Sequence, residues 1–136
     1  LSIPLWQDEF TQHMLTLSAF LTNRHSRMNN IIFEIADYIQ DHYQEDITLQ
    51  RIAERYFLSR EYISRKFKQE MNENISDFIG RIRIDKAKLL LLNPQLRMVQ
   101  ISEMVGYQDE KYFSKVFKKM VGISPNQYRK EQFRGD

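Results

Sequence analysis

Cysteine is absent from the 136 residues, so the chain holds no disulfide and no thiolate metal site, a pattern that fits a reducing compartment. Histidine is scarce: His13, His25 and His42 stand apart, whereas zinc sites cluster their ligands, and no metal set is read from them. Glycine is scarce too, and Gly80, Gly106, Gly122 and Gly135 form no phosphate-cradling loop. These absences remove the common catalytic constellations, so the chain reads as a non-enzyme that needs no cofactor. No long hydrophobic run is present either. The longest aliphatic stretch, Leu89 to Leu92, falls far short of the about 20 residues that cross a bilayer, and no signal-peptide pattern opens the chain. The expectation is a soluble, cytoplasmic protein without a membrane partner. Because the chain opens at Leu1 rather than Met, a longer protein with an upstream domain is also expected.

What is present is an ordinary globular composition, 42% apolar and 28% charged, with a net charge of only +2. The distribution says more than the total. Residues 1–29 are neutral, residues 30–57 hold two basic against six acidic groups, and residues 58–136 hold sixteen basic against ten acidic. Such a gradient orients a molecule in the field of a polyanion, although a merely mixed surface would look the same on this evidence alone.

Apolar residues recur at spacings of three and four, strict alternation is rare, and three prolines interrupt, so the fold is read as all-α. Helices are placed near 7–22, 30–43, 48–56, 60–71, 75–92, 98–105, 109–121 and 125–133. Thr48, Asn74 and Ser124 offer capping oxygens, Pro125 suits a first helical position, Asn93-Pro94 ends the long helix, and Gly106 and Gly122 can close others.

An internal repeat organises the second half. Ile63-Ser64-Arg65-Lys66-Phe67-Lys68 lies over Phe113-Ser114-Lys115-Val116-Phe117-Lys118 at an offset of 50, and the register extends from Tyr62 over Tyr112 to Phe78 over Tyr128. Upstream, Ile52 falls on Ile101 at an offset of 49, so the second turn has gained a residue. Each copy reads as a short helix, a tight turn and a second helix: a helix-turn-helix. The first is placed at about 48–72 and the second at about 98–121, with a linker helix at 75–92 and an additional helix before residue 30.

Successive residues of a helix turn by about 100°, which gathers Glu61, Ser64, Arg65 and Lys68 on one stripe and Ile63, Phe67 and Met71 on another. The second copy repeats the outward stripe as Lys111, Ser114, Lys115 and Lys118, and the inward one as Phe113, Phe117 and Val121. A charged stripe on one helix is ordinarily a solvated face; the same stripe on both copies points to a shared task. Arg and Lys on a helix in a major groove about 12 Å wide can donate to guanine O6 and N7. Glu61 and Glu110 open the two helices, and three roles stay open for them: a base edge, a neighbouring cation, or the helix dipole. The linker, read as Ile75 to Leu92, spans about 27 Å, close to the about 34 Å that separates readers on one side of B-DNA. Phe78, Ile79, Ile82, Leu89, Leu90 and Leu92 are expected to clamp both units. Arg81, Arg83, Lys86 and Lys88 are expected, like Lys68 and Lys118, to meet phosphates.

The chain from Ile32 to Phe133 resembles the AraC/XylS family of transcription regulators. The second copy carries most of the likeness, in Ile101-Ser102-Glu103, Gly106-Tyr107, Tyr112-Phe113-Ser114-Lys115, Phe117-Lys118, Gly122, Ser124-Pro125 and Tyr128-Arg129. The first copy is similar from Ile52-Ala53 through Leu58-Ser59 to Phe67-Lys68, and departs at Asn72, where glycine is frequent. Asn tolerates a left-handed backbone. Phe57 stands where the second copy has Gly106, and an aromatic residue would strain a left-handed turn, so the first turn is expected to differ in geometry. The resemblance implies base contacts from Arg60, Glu61, Ser64, Arg65, Glu110, Lys111, Ser114 and Lys115 in adjacent major grooves of promoter or operator DNA. It also implies residence at the nucleoid, RNA polymerase as a partner, activation as the commoner outcome, and a sensory, receiver or dimerisation domain upstream in the same chain, through which a homodimer could form. Residues 1–29 fall outside the match; Phe10, Met14, Leu17 and Leu21 form an apolar stripe there that suits either a connector to that domain or a helix folded back on the core. The rival function is a helical protein-binding adaptor using the Tyr and Phe stripes, but those aromatics recur at core spacing in both copies.

Overall fold

Apolar spacing becomes seven helices in a computed structural model, which describes residues 31–134. They are α1 at 31–42, α2 at Leu49–Tyr56, α3 at Arg60–Met71, α4 at Ile75–Leu90, α5 at Met98–Met104, α6 at Glu110–Val121 and α7 at Pro125–Arg134. The helix read at 7–22 lies outside the described residues. Two helix-turn-helix units, α2–α3 and α5–α6, flank α4 in the chain.

The starts follow local chemistry. Thr48, Ser59, Asn74 and Ser124 each accept a main-chain N–H from three residues on, at 2.8–3.1 Å, which satisfies amides that have no partner within the helix. The ends repeat as well: Asn72 and Gly122 are both left-handed, and their N–H groups donate to the carbonyls of Lys68 and Lys118. α4 stops early, at Leu90 rather than at Leu92, three residues short of Asn93-Pro94.

α4 serves two cores in succession. Its first half adds Ile75, Phe78, Ile79 and Ile82 to a core built on Ile35 and Ile39 of α1, Ile52 of α2, and Ile63 and Phe67 of α3. Its second half adds Ile84 and Ala87, and the residue just past its end adds Leu91, to a core with Ile101, Val105, Tyr107, Phe113 and Phe117. The handover falls between Ile82 and Ile84. Leu89 and Leu92, expected as clamps, are instead 64% and 47% exposed, because the face that α4 turns to its second partner is carried by Ile84, Ala87 and Leu91. Repeat symmetry extends to aromatic geometry: Phe67 on Phe78 and Phe117 on Tyr128 are edge-to-face pairs at 5.2 and 5.6 Å, both at 71°.

The two turns correct one expectation. Phe57 is left-handed, with φ 56° and ψ 42°, just as Gly106 is turned over at φ 104°. In each copy a 6→1 bond closes the turn, Leu58 N–H to Ala53 O at 3.1 Å and Tyr107 N–H to Ser102 O at 2.9 Å. The left-handed residue and its closing bond are therefore shared, while the turns still differ before it, where Phe57 N–H donates to Ala53 O and Gly106 N–H to Glu103 O, and after it, where the extra residue, Gln108, enters. Phe57 has little packing to compensate, being 93% exposed. Replacing Phe57 with Gly is thus expected to raise stability by about 0.5–1 kcal/mol, since glycine meets no steric cost at positive φ and little packing is lost. A higher urea midpoint at unchanged slope would show it; a lower midpoint would mean that the aromatic ring supports the turn.

Candidate nucleic-acid interface

α3 turns Ile63 and Phe67 inward, both fully buried, and this alone fixes which residues look outward. Arg60, Glu61, Ser64, Arg65 and Lys68 are all exposed. The Arg65 guanidinium lies 5.6 Å from the Tyr62 ring centroid, a cation–π contact that limits its wandering before any partner arrives. In α6 Phe113 and Phe117 are fully buried, and Glu110, Lys111, Lys115 and Lys118 are exposed, while Ser114 is half-buried. The Asp109 carboxylate caps the helix by accepting the Lys111 N–H at 2.9 Å.

Among the described residues, ion pairs form at His42–Glu45, Arg51–Asp46, Arg81–Glu73 and Arg81–Asp85, and none involves the outward cations of α3 or α6. Their positive field is therefore unspent within the described chain. Nor does Glu61 or Glu110 hold a neighbouring cation there, which leaves the helix dipole and a base edge as roles for these first-turn carboxylates.

The linker arginines behave differently. Arg81 donates to Glu73 at 2.7 and 3.0 Å, a bond that pushes its pKa above the already high ordinary value, and Asp85 lies 4.0 Å away. Arg83 donates to main-chain carbonyls, Tyr43 O at 2.7 Å and Glu45 O at 2.9 Å, and sits 5.0 Å from the Tyr107 ring centroid. Sequence position suggests phosphate contacts for both; in the fold each has intrachain partners. A third arginine leaves no signal of its role in the sequence. Arg129 on α7 donates to Leu91 O, Asn93 O and Leu96 O at 2.8–3.0 Å, gathering carbonyls past the end of α4. Periodicity does not reveal such partners, because a carbonyl some 35 residues away leaves no mark on side-chain spacing.

Residues 52–131 match the family model described as a helix-turn-helix domain. The chain is 35% identical over 121 residues to the uncharacterised HTH-type transcriptional regulator YisR of Bacillus subtilis, covering 89% of this chain and 42% of that protein. It is 32% identical over 114 residues to the arabinose operon regulatory protein of Escherichia coli, covering 83% of this chain and 39% of the relative. The chain thus spans about two fifths of the length of these curated relatives. Among solved structures, the C-terminal domain of AraT, a response regulator from Geobacillus stearothermophilus, superposes with a TM-score of 0.71 at 42% identity, over 74% of this chain and 84% of that one. With the duplicated helix-turn-helix and the extent of these matches, the chain belongs to the AraC/XylS family of helix-turn-helix regulators.

Proposed function

We propose that this chain is the DNA-reading part of a transcription regulator, residues 30–136 binding a specific duplex with α3 and α6 in neighbouring major grooves. One observation carries the reading: two helices that each begin at a side-chain cap and end at a left-handed residue bury an apolar pair, Ile63 and Phe67 on α3 and Phe113 and Phe117 on α6, and turn exposed cations outward on one scaffold. An adaptor would need its aromatics outside, and here Phe67 of α3 and Phe113 and Phe117 of α6 are fully buried. Arg60, Glu61, Ser64 and Arg65 read one groove, and Glu110, Lys111, Ser114 and Lys115 the other. Lys68 and Lys118 take phosphates, while Arg81 and Arg83 keep their intrachain bonds. α4, with 16 residues, spans about 24 Å, of the order of one about 34 Å turn of duplex. Residues 1–29 connect to an upstream regulatory or dimerisation domain, and the partner at the promoter is RNA polymerase, with activation as the outcome.

The test starts by selecting a duplex from a random library with the unmodified chain. Log affinity for it should fall linearly with log salt, because bound lysines and arginines release counterions. Arg65→Ala is expected to cost about 1–3 kcal/mol on the selected duplex and to relax one base pair, whereas Lys68→Ala should weaken selected and random duplexes alike and lower the salt slope by about 1. Equal losses on both duplexes for Arg65→Ala would remove its base-reading role. A flat salt response would remove the DNA reading altogether.

A further inference from the structure

Arg83 stands where α4 passes from one core to the other, between Ile82 of the first and Ile84 of the second. Its guanidinium meets two pieces of chain at once. It donates to Tyr43 O and Glu45 O in the segment that joins α1 to α2, which belongs to the first unit. Its other side faces Tyr107, the residue that closes the turn of the second unit, with 5.0 Å between Cζ and the ring centroid. Beside them the two units approach through main chain: a Cβ placed on Gly106 would lie 2.8 Å from Tyr43 O and 3.1 Å from Arg83 Cζ.

From this geometry we infer that Arg83 is a positioning residue which sets the angle between the two reading helices and so the half-site spacing the protein accepts. The inference rests on the two-groove reading above. A helix shared by two cores transmits position along its axis, but the units can still twist about it, because each core buries side chains from its own half of α4 and the Met120 side chain of α6 that reaches across to Gly80 is flexible. A planar cation tied to two carbonyls of one unit and stacked on an aromatic of the other resists that twist, since charge-assisted bonds are short and directional. Gly106 is required for the same reason: a larger residue would wedge the second turn away from Tyr43 O. Tyr107 is buried, and burial holds its hydroxyl pKa above the ordinary value against the opposing influence of Arg83, so the stacking face stays a neutral ring.

The absence of cysteine permits a direct test on the full chain. Spin labels on Gln69→Cys and Lys119→Cys, exposed and equivalent positions of α3 and α6, report the distance between readers without DNA. With Arg83→Ala the distance distribution is expected to broaden or move, and with Arg83→Lys, whose ammonium keeps the charge but not the fork, to change less. On the duplex selected by the unmodified chain, preference over the same duplex lengthened by a base pair between half-sites should fall toward parity in Arg83→Ala and be partly restored in Arg83→Lys. Unchanged distributions in both variants would overturn the inference, as would loss of helical circular dichroism in both, which would make Arg83 a requirement of folding rather than of alignment. Failure of the unmodified chain to select any duplex would instead defeat the two-groove reading, and the spin distances would still decide whether Arg83 aligns the units.

Discussion

Phe117→Ala is expected to lower stability by about 3–5 kcal/mol, the range for removing a fully buried aromatic ring from a packed core. Phe117 has no exposed surface and is wedged between Phe113, 5.9 Å away by ring centroid, and Tyr128, 5.6 Å away. Those neighbours sit on α6 itself and on α7, so the hole opens where the second reader is held to its unit. Domains of this size are stable by about 5–15 kcal/mol in total, which makes the loss about a fifth or more of what holds the fold. The first core shares no residue with the second, so the damage should be local before it is global. Urea unfolding followed by circular dichroism should show the reduced stability. Footprinting should show protection persisting over the half-site read by α3 while that under α6 fades. A change below about 1 kcal/mol would mean that the α6 core collapses around the gap, and the packing account would be wrong.

Arg129→Ala should cost about 2–4 kcal/mol, because the guanidinium makes three charge-assisted bonds, to Leu91 O, Asn93 O and Leu96 O. Asn93 O contributes least to that range, because it also accepts the Leu96 N–H at 3.1 Å. α4 ends at Leu90 and the chain then turns back to enter α5, so these carbonyls lie where a helix end would otherwise be left bare. Arg129→Lys is the informative companion. A single ammonium cannot span three acceptors, and it should recover less than half of the loss. Thermal unfolding checks the ranking; equal melting temperatures for the unmodified chain and both variants would show that the carbonyls are satisfied without the guanidinium.

Legibility from sequence is high wherever a local rule governs. Thr48, Asn74 and Ser124 cap because a short polar oxygen beside the first free amides is sufficient, and Gly122 and Asn72 end helices because they tolerate a left-handed backbone. Phe57 is the exception that shows the limit. Its propensity argues against φ 56°, but the turn is closed by Leu58 N–H on Ala53 O, and packing of α2 against α3 outweighs about 1 kcal/mol of strain. α4 is legible as a helix but not in all its faces. Periodicity assigns Phe78, Ile79 and Ile82 to the core, where they are, yet it also offers Leu89 and Leu92 as clamps that Ile84, Ala87 and Leu91 provide. A helix whose apolar residues spread beyond one stripe leaves its inner face open, and which side is covered at each level depends on where two separate partners approach.

Order along the chain already determines that there are two copies of one reading unit, that each is a capped pair of helices, and that each presents cations opposite a buried apolar pair; these follow from repeat spacing and the 3.6-residue period. The assignments of Arg83 to the Tyr43 and Glu45 carbonyls, of Arg129 to the carbonyls beyond α4, and of α4's two halves to different cores arise only on folding. Main-chain carbonyls are identical at every residue, so nothing in the letters marks which of them a distant guanidinium will find until the chain brings them within hydrogen-bond reach.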